Sequence, residues 1–152
     1  MRIAARGVAV SLALFVIPAM MFCATPSFAL KKSLKASLVG HWELVSVSVN
    51  GRTPYGDDPH GSMFLDAAGH FSVIVVSDGN ARSLAYFGTY TINGAERSMV
   101  LYIEDSAGGG TPNAAGRELK RLLTLSGDEL TVQNELATGG AGGVQVKWKR
   151  AN

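Results

Sequence analysis

The chain predicts an all-β fold, an antiparallel meander of eight strands that closes most simply into an up-and-down barrel. Three observations carry this. Apolar and polar residues alternate at period two in eight short runs between residues 40 and 150. Turn-forming pairs such as Asn50-Gly51, Asn93-Gly94 and Gly127-Asp128 separate runs at near-uniform spacing. Helical character is confined to one short segment, roughly Lys31 to Leu38. A meander of this size must protect its edges, and closure removes them. A sandwich satisfies the same periodicity.

The elements follow in order. Gly40 to Val49 is the first strand, ended by the tight-turn pair Asn50-Gly51. A loop rich in Pro, Gly and Asp covers Arg52 to His60. Gly61 to Asp66 and His70 to Val76 form a hairpin about Ala67-Ala68-Gly69. After the polar loop Ser77 to Ser83, Leu84 to Ile92 is rich in aromatic and β-branched residues, which favour strands. Ser98 to Glu104 is the fifth strand, and the glycine-rich stretch Asp105 to Gly116 reads as a long loop. Arg117 to Leu125 and Glu129 to Leu136 pair about Ser126-Gly127-Asp128. A second glycine-rich turn, Thr138 to Gly142, leads to the last strand, Gly143 to Arg150.

The first 29 residues stand apart from this pattern. Arg2 and Arg6 precede an apolar run, Val8 to Phe22, and small residues at Ser27 and Ala29 flank Phe28. That is the layout of a signal peptide cleaved after Ala29. The run is short for a bilayer span and contains Pro18, so an uncleaved anchor is the lesser alternative. Residues 30–37 read as a short N-terminal tail and 38–152 as the barrel domain. The sole cysteine, Cys23, falls in the leader, so the mature domain has neither disulfide nor thiol, as suits an exported protein. No membrane span is expected after cleavage.

The whole chain has 14 basic and 12 acidic residues. Loss of Arg2 and Arg6 leaves 12 of each, without the basic footprint of a nucleic-acid binder. Lys31, Lys32 and Lys35 read as a solvated cluster beside the cleavage site.

Several segments, in order, resemble the bacterial and fungal lipocalin-like domain family, a branch of the calycins. They are Leu38-Val39-Gly40-His41-Trp42-Glu43-Leu44-Val45-Ser46, Tyr55-Gly56-Asp57-Asp58-Pro59-His60-Gly61, Asp66 to Val73, Ala85-Tyr86-Phe87-Gly88-Thr89-Tyr90, and Arg121 to Leu130. The resemblance spans Leu38 to Arg150. It implies a barrel with Trp42 plugging the closed end, a cation from the last strand lying across it (Arg150 first), and Lys149 on the opposite face. It also implies small-molecule binding without implying a reaction, because a fold does not fix a function. Only Ser77 to Leu84 precedes the Tyr-Phe-Gly-Thr-Tyr strand, where many relatives are longer, so no lid is expected there.

Polar residues on the apolar faces are the candidate ligand contacts. Arg121 shares its face with Leu119, Leu123 and Leu125, so its guanidinium points inward and needs a partner. That partner is either an internal group or a ligand. Tyr86, Gly88 and Tyr90 share a face with Leu84 and Ile92. They supply contact area with polar tips, or act as core tyrosines with satisfied hydroxyls. Gly88 provides either room for a ligand or a bend. Asn134 is inward with Leu130, Val132 and Leu136. Phe71, Val73 and Val75, with Met99, Leu101 and Ile103, form apolar wall.

No catalytic constellation stands out. His41, His60 and His70 lie at no metal-ligand spacing, and His60 with Asp57 and Asp58 reads as a solvated turn. No serine sits in a nucleophile elbow, and the glycine runs lack the strand-to-helix setting of a phosphate loop. No metal or cofactor is expected. The expected function is an exported, periplasmic or secreted protein that binds a small hydrophobic or amphipathic molecule without catalysis, through Tyr86, Tyr90, Arg121 and Asn134. Two alternatives stand beside it: a barrel filled by side chains that serves a structural or interaction role, and a cyclase, isomerase or dehydratase acting on a hydrophobic substrate.

Overall fold

The structure is a computed structural model that describes residues 32–108, 115–134 and 143–152. The leader and its cleavage site, residues 109–114 of the first glycine-rich stretch, and residues 135–142, which take in the whole second glycine-rich turn and the expected strand end at Leu136, lie outside the described residues.

Eight strands form one closed antiparallel barrel in which each strand pairs with its sequence neighbours and β1 pairs with β8. The strands are β1 (Gly40–Val49), β2 (His60–Leu65), β3 (His70–Val76), β4 (Ser83–Asn93), β5 (Ser98–Gly108), β6 (Glu118–Ser126), β7 (Glu129–Asn134) and β8 (Val144–Arg150). Closure decides between barrel and sandwich. It comes from the β1–β8 ladder, a pairing between opposite ends of the domain.

The tight turns behave as their residues dictate. Asn50 and Gly51 both have positive φ, 54° and 74°, the twist that a two-residue turn requires. Asn93 accepts from the backbone N–H groups of Ala95 and Glu96 and so turns the chain out of β4. Asp66 accepts through Oδ1 from the N–H of Gly69 and of His70, each at 2.7 Å, while its Oδ2 lies 2.9 Å from His70 Nδ1. Those bonds, the His70 N–H first and its ring next, hold the Asp66 carboxyl at about 2, below its ordinary 3.8.

Two irregularities depart from plain alternation. On β1 the register shifts between Leu44 and Ser46. Trp42 and Leu44 face the core, then Val47 and Val49 do, and Val45 turns outward at 50% exposure. A bulge absorbs the phase change. Opposite β4, Phe87 pairs with Asp105 and Gly88 with Ile103, so Glu104 is the extra residue. A Cβ on Gly88 would lie 2.0 Å from the Tyr102 carbonyl oxygen. Gly88 therefore admits the bulged backbone of β5, which fills the space its missing side chain leaves.

The segment expected as loop from Asp105 is strand as far as Gly108. Leu84 pairs with Gly108, Ala85 with Ala107 and Tyr86 with Ser106. Small residues there suit close backbone approach: a Cβ on Gly108 would meet Ser83 O at 2.3 Å. Pairing with β4 overrides the turn-like composition.

One end of the barrel is closed by a helical turn. Helix α1 (Leu34–Leu38) starts at Ser33, whose hydroxyl accepts from Ala36 N–H. Leu38 is fully buried, and its carbonyl accepts from Trp42 Nε1 at 2.8 Å. The Arg150 guanidinium lies over the Trp42 ring, 4.1 Å from its centroid. It donates to the carbonyls of Ser37 and Val39. Much of the segment before residue 38 is thus a docked cap and not a free tail, and Lys35 sits 5.7 Å from the Tyr90 ring centroid. Lys149 is exposed on the outer face, as expected.

Two predictions follow from this end of the barrel. Arg150→Met removes two charge-assisted hydrogen bonds and the ring contact, and should cost about 2–4 kcal/mol in urea unfolding. It should also raise hydrogen exchange at Ala36 and Ser37. Asp66→Ala should be less stable than wild type above pH 4, where the Asp66 carboxylate is ionised in both folded and unfolded chains. Because the folded value is depressed to about 2, that gap should close as pH falls from 3.8 towards 2. Unfolding midpoints across that window check it.

Candidate functional site

Above the capped end, inward side chains leave a cavity of about 410 Å³. The apolar wall comes from Val47 and Val49 of β1, Val73 and Val75 of β3, Met99, Leu101 and Ile103 of β5, and Val144 and Val146 of β8. The two bulges set this wall. Without the shift after Leu44, Val47 and Val49 would face outward.

Four polar side chains interrupt it: Tyr86, Arg121, Tyr55 and Arg82. Tyr86 comes from β4 and packs edge-on against Phe71, with ring centroids 5.8 Å apart. Burial pushes its phenol above the ordinary value, the Arg121 charge pulls it down, and Tyr55 pushes it up again. Arg121 comes from β6, two strands away. Burial lowers its guanidinium below the ordinary value, and Tyr86 acts in the opposite sense. An arginine nevertheless stays protonated in a protein. Its one hydrogen bond among the described residues runs from Nη1 to the Lys120 carbonyl at 3.1 Å, and no carboxylate pairs with it. Tyr86 likewise has no hydrogen-bond partner for its hydroxyl among the described residues.

Two expected contacts lie elsewhere. Tyr90 is buried, at 3% exposure, but outside the cavity wall. Its hydroxyl donates to the Asp66 carbonyl at 2.6 Å, tying β4 to the β2–β3 turn. Burial, then the Asp66 charge, raises its phenol. It shares the face of Tyr86 as alternation requires, yet sits further towards the capped end. Asn134 pairs in register with Arg121 but does not line the cavity either, and its Oδ1 is buried with no hydrogen-bond partner among the described residues. Phe71, expected as wall, lies behind Tyr86 and not at the cavity surface.

Tyr55 and Arg82 were not legible as site residues, because both come from loops at the open end. Tyr55 is buried, at 7% exposure. Burial raises its phenol, and the Arg82 charge partly offsets this. The Arg82 guanidinium lies 5.9 Å from the Tyr55 ring centroid. Asp78 N–H donates to the Tyr55 carbonyl, and Ser77 Oγ accepts from Arg82 N–H, so the two loops are bonded to each other. An aromatic beside Pro54 and Gly56 in a polar loop was the available signal.

Outside the cavity the chemistry is sparse. His41 stacks on the half-exposed Phe64 at 4.2 Å on the outer wall and bonds Ser62. Among the described residues no three His, Cys, Asp or Glu side chains gather as a metal site would require. No helix among them is long and apolar enough to cross a membrane.

No protein-family model matches the chain, and no curated protein matches it in sequence. The functional reading therefore rests on the cavity.

Asn134 offers a check on its own account. An unpaired buried carbonyl costs about 1–3 kcal/mol. Asn134→Leu should therefore leave the fold intact and raise the urea midpoint, whereas a midpoint that falls would show that the amide has a partner in solution.

Proposed function

We propose that the protein is an exported, lipocalin-like carrier that binds one small hydrophobic or amphipathic molecule inside the barrel, without catalysis. The observation that carries this is the cavity itself. Its volume, about 410 Å³, falls in the range of small-molecule sites, and its wall is apolar with a few convergent polar groups. A barrel filled by side chains has no such space.

Support for a non-catalytic role comes from the wall composition. Among the described residues that line it there is no histidine, carboxylate, thiol or serine, the side chains that most often serve as general base or nucleophile. Tyr86 and Arg121 serve as donors that orient a bound molecule. Support for export comes from the basic, apolar and small-residue order of residues 1–29, and the ordered motifs from Leu38 to Arg150 support the lipocalin-like kinship. The periplasm or the exterior is then the working compartment.

Native mass spectrometry of protein taken from the exported fraction tests both halves. The expected mass begins at Leu30 and carries an adduct that denaturation releases. Purified protein should also enhance the fluorescence of N-phenyl-1-naphthylamine, an uncharged apolar probe. Leu101→Trp, which fills the cavity, should abolish that signal while keeping the β-sheet circular dichroism. A retained leader overturns export. An adduct-free mass, together with a probe signal unchanged in Leu101→Trp, overturns the carrier.

A further inference from the structure

The polar side chains of the cavity wall, Arg121, Arg82, Tyr86 and Tyr55, can all donate hydrogen bonds, and no Asp or Glu among the described residues lines the space. Two of the four are full positive charges. With one guanidinium in its wall, another exposed at its mouth and no acid among its described lining residues, the apolar cavity carries a positive field that its wall screens poorly.

Arg121 is the decisive member. It is half-buried and lacks a carboxylate partner among the described residues, and its one bond there goes to the carbonyl of its own neighbour Lys120. A guanidinium has five N–H donors in a planar fork that matches an oxyanion two at a time. Removing such a charge from water costs several kcal/mol unless a counter-charge meets it. Among the described residues no carboxylate offsets that cost. Tyr86 adds to the same place. It comes from β4, with β5 between it and Arg121, and each alters the other's charge balance. Both side chains line the same cavity, the phenol from one side of β5 and the guanidinium from the other, so an oxyanion between them would meet donors from two sides.

From this geometry we infer that the ligand class is an organic anion, a compact apolar body bearing one carboxylate or sulfonate, whose oxyanion is held between Arg121 and Tyr86. This rests on the carrier reading and narrows it. The apolar body fills the space between Met99, Leu101 and Val146. Arg82, exposed beside Tyr55 in the loops of the open end, adds positive field there but is not the anchor. An uncharged ligand of the same shape would leave the Arg121 donors unpaired, which is where the discrimination comes from.

A matched pair of dyes tests it on the mature protein. N-phenyl-1-naphthylamine and 1-anilinonaphthalene-8-sulfonate share one skeleton and differ by the sulfonate. Signal that survives in Leu101→Trp reports the outer wall, where Phe64, Ile74 and Phe87 are about half-exposed, and is subtracted. The cavity of the wild type should prefer the sulfonate by roughly tenfold or more, the worth of a charge-assisted hydrogen bond. Arg121→Met should erase that preference while keeping affinity for the neutral dye. Arg121→Lys should keep part of it, and Tyr86→Phe should reduce it. Decanoate should displace the dye better than decanol does in the wild type, and no better in Arg121→Met.

Equal affinity of the two dyes in the wild type overturns the anion inference and leaves the carrier intact. So does a preference that persists in Arg121→Met, and one that disappears only in Arg82→Ala places the charge at the open end instead. If neither dye enters the cavity, the carrier reading fails, and the anion inference fails with it.

Discussion

Arg150 holds the closed end of the barrel together. It is the last residue of β8, and its guanidinium covers the Trp42 ring from β1. The same guanidinium donates to carbonyls on either side of Leu38, while Trp42 donates to the Leu38 carbonyl itself. One side chain thus joins the first strand, the last strand and the capping helix. A helix of five residues has little stability of its own, so its place depends on this docking. The ion pair from Arg150 to Asp128, at 3.5 Å with Asp128 largely exposed, adds little by comparison. Charge is used here for geometry. It caps carbonyls that the end of a short helix leaves open, in a place where water would otherwise reach the indole.

With that end sealed, the remaining interior divides into two layers. Trp42, Leu65, Phe71, Tyr90 and Leu130 are packed core near the cap. Above them a wall largely of valine, leucine, isoleucine and methionine, with Trp148 among it, surrounds an open cavity. Tyr90 belongs to the first layer because its hydroxyl is satisfied by Asp66. Tyr86, four residues earlier on the same face, belongs to the second. Opposite Gly88, between the two tyrosines, β5 bulges at Glu104, and the bulge is tolerated because Gly88 has no side chain to strike Tyr102. The bulge on β1 likewise falls between Leu44 and Val47. These small backbone faults determine which residues are structural and which face the cavity.

The polar groups follow the same division. Near the cap, donors and acceptors are matched: the Trp42 indole, the Tyr90 hydroxyl and the Arg150 guanidinium all have partners. In the cavity they are matched less fully, for among the described residues Arg121 bonds only the Lys120 carbonyl and the Tyr86 hydroxyl has no partner. Folding alone gives no reason to bury an unpaired charge, since an apolar residue of similar size would be more favourable. Departures of this kind concentrate at functional sites.

The strands were legible in the sequence because a strand needs only local alternation and a turn at each end. Asn50-Gly51, Asn93 and Gly127-Asp128 turn the chain where their residues require it. Arg121 and Tyr86 were legible as inward polar groups for the same reason, since each shares a face with leucines. The limit of that reasoning shows at Tyr90 and Asn134. Alternation assigns a residue to the inside of a sheet but says nothing of its height along the barrel. Height depends on how far each strand is staggered against the next, and that belongs to pairs of distant segments. Tyr55 and Arg82 escaped notice because loops carry no periodicity. The sequence by itself therefore determined the strands, their turns and, away from the bulges, the side each residue faces, since these depend on contacts between near neighbours. Only the tertiary structure decided closure, the extension of β5 to Gly108, the cavity and which donors meet in it, because these arise from registers between strands far apart in the chain.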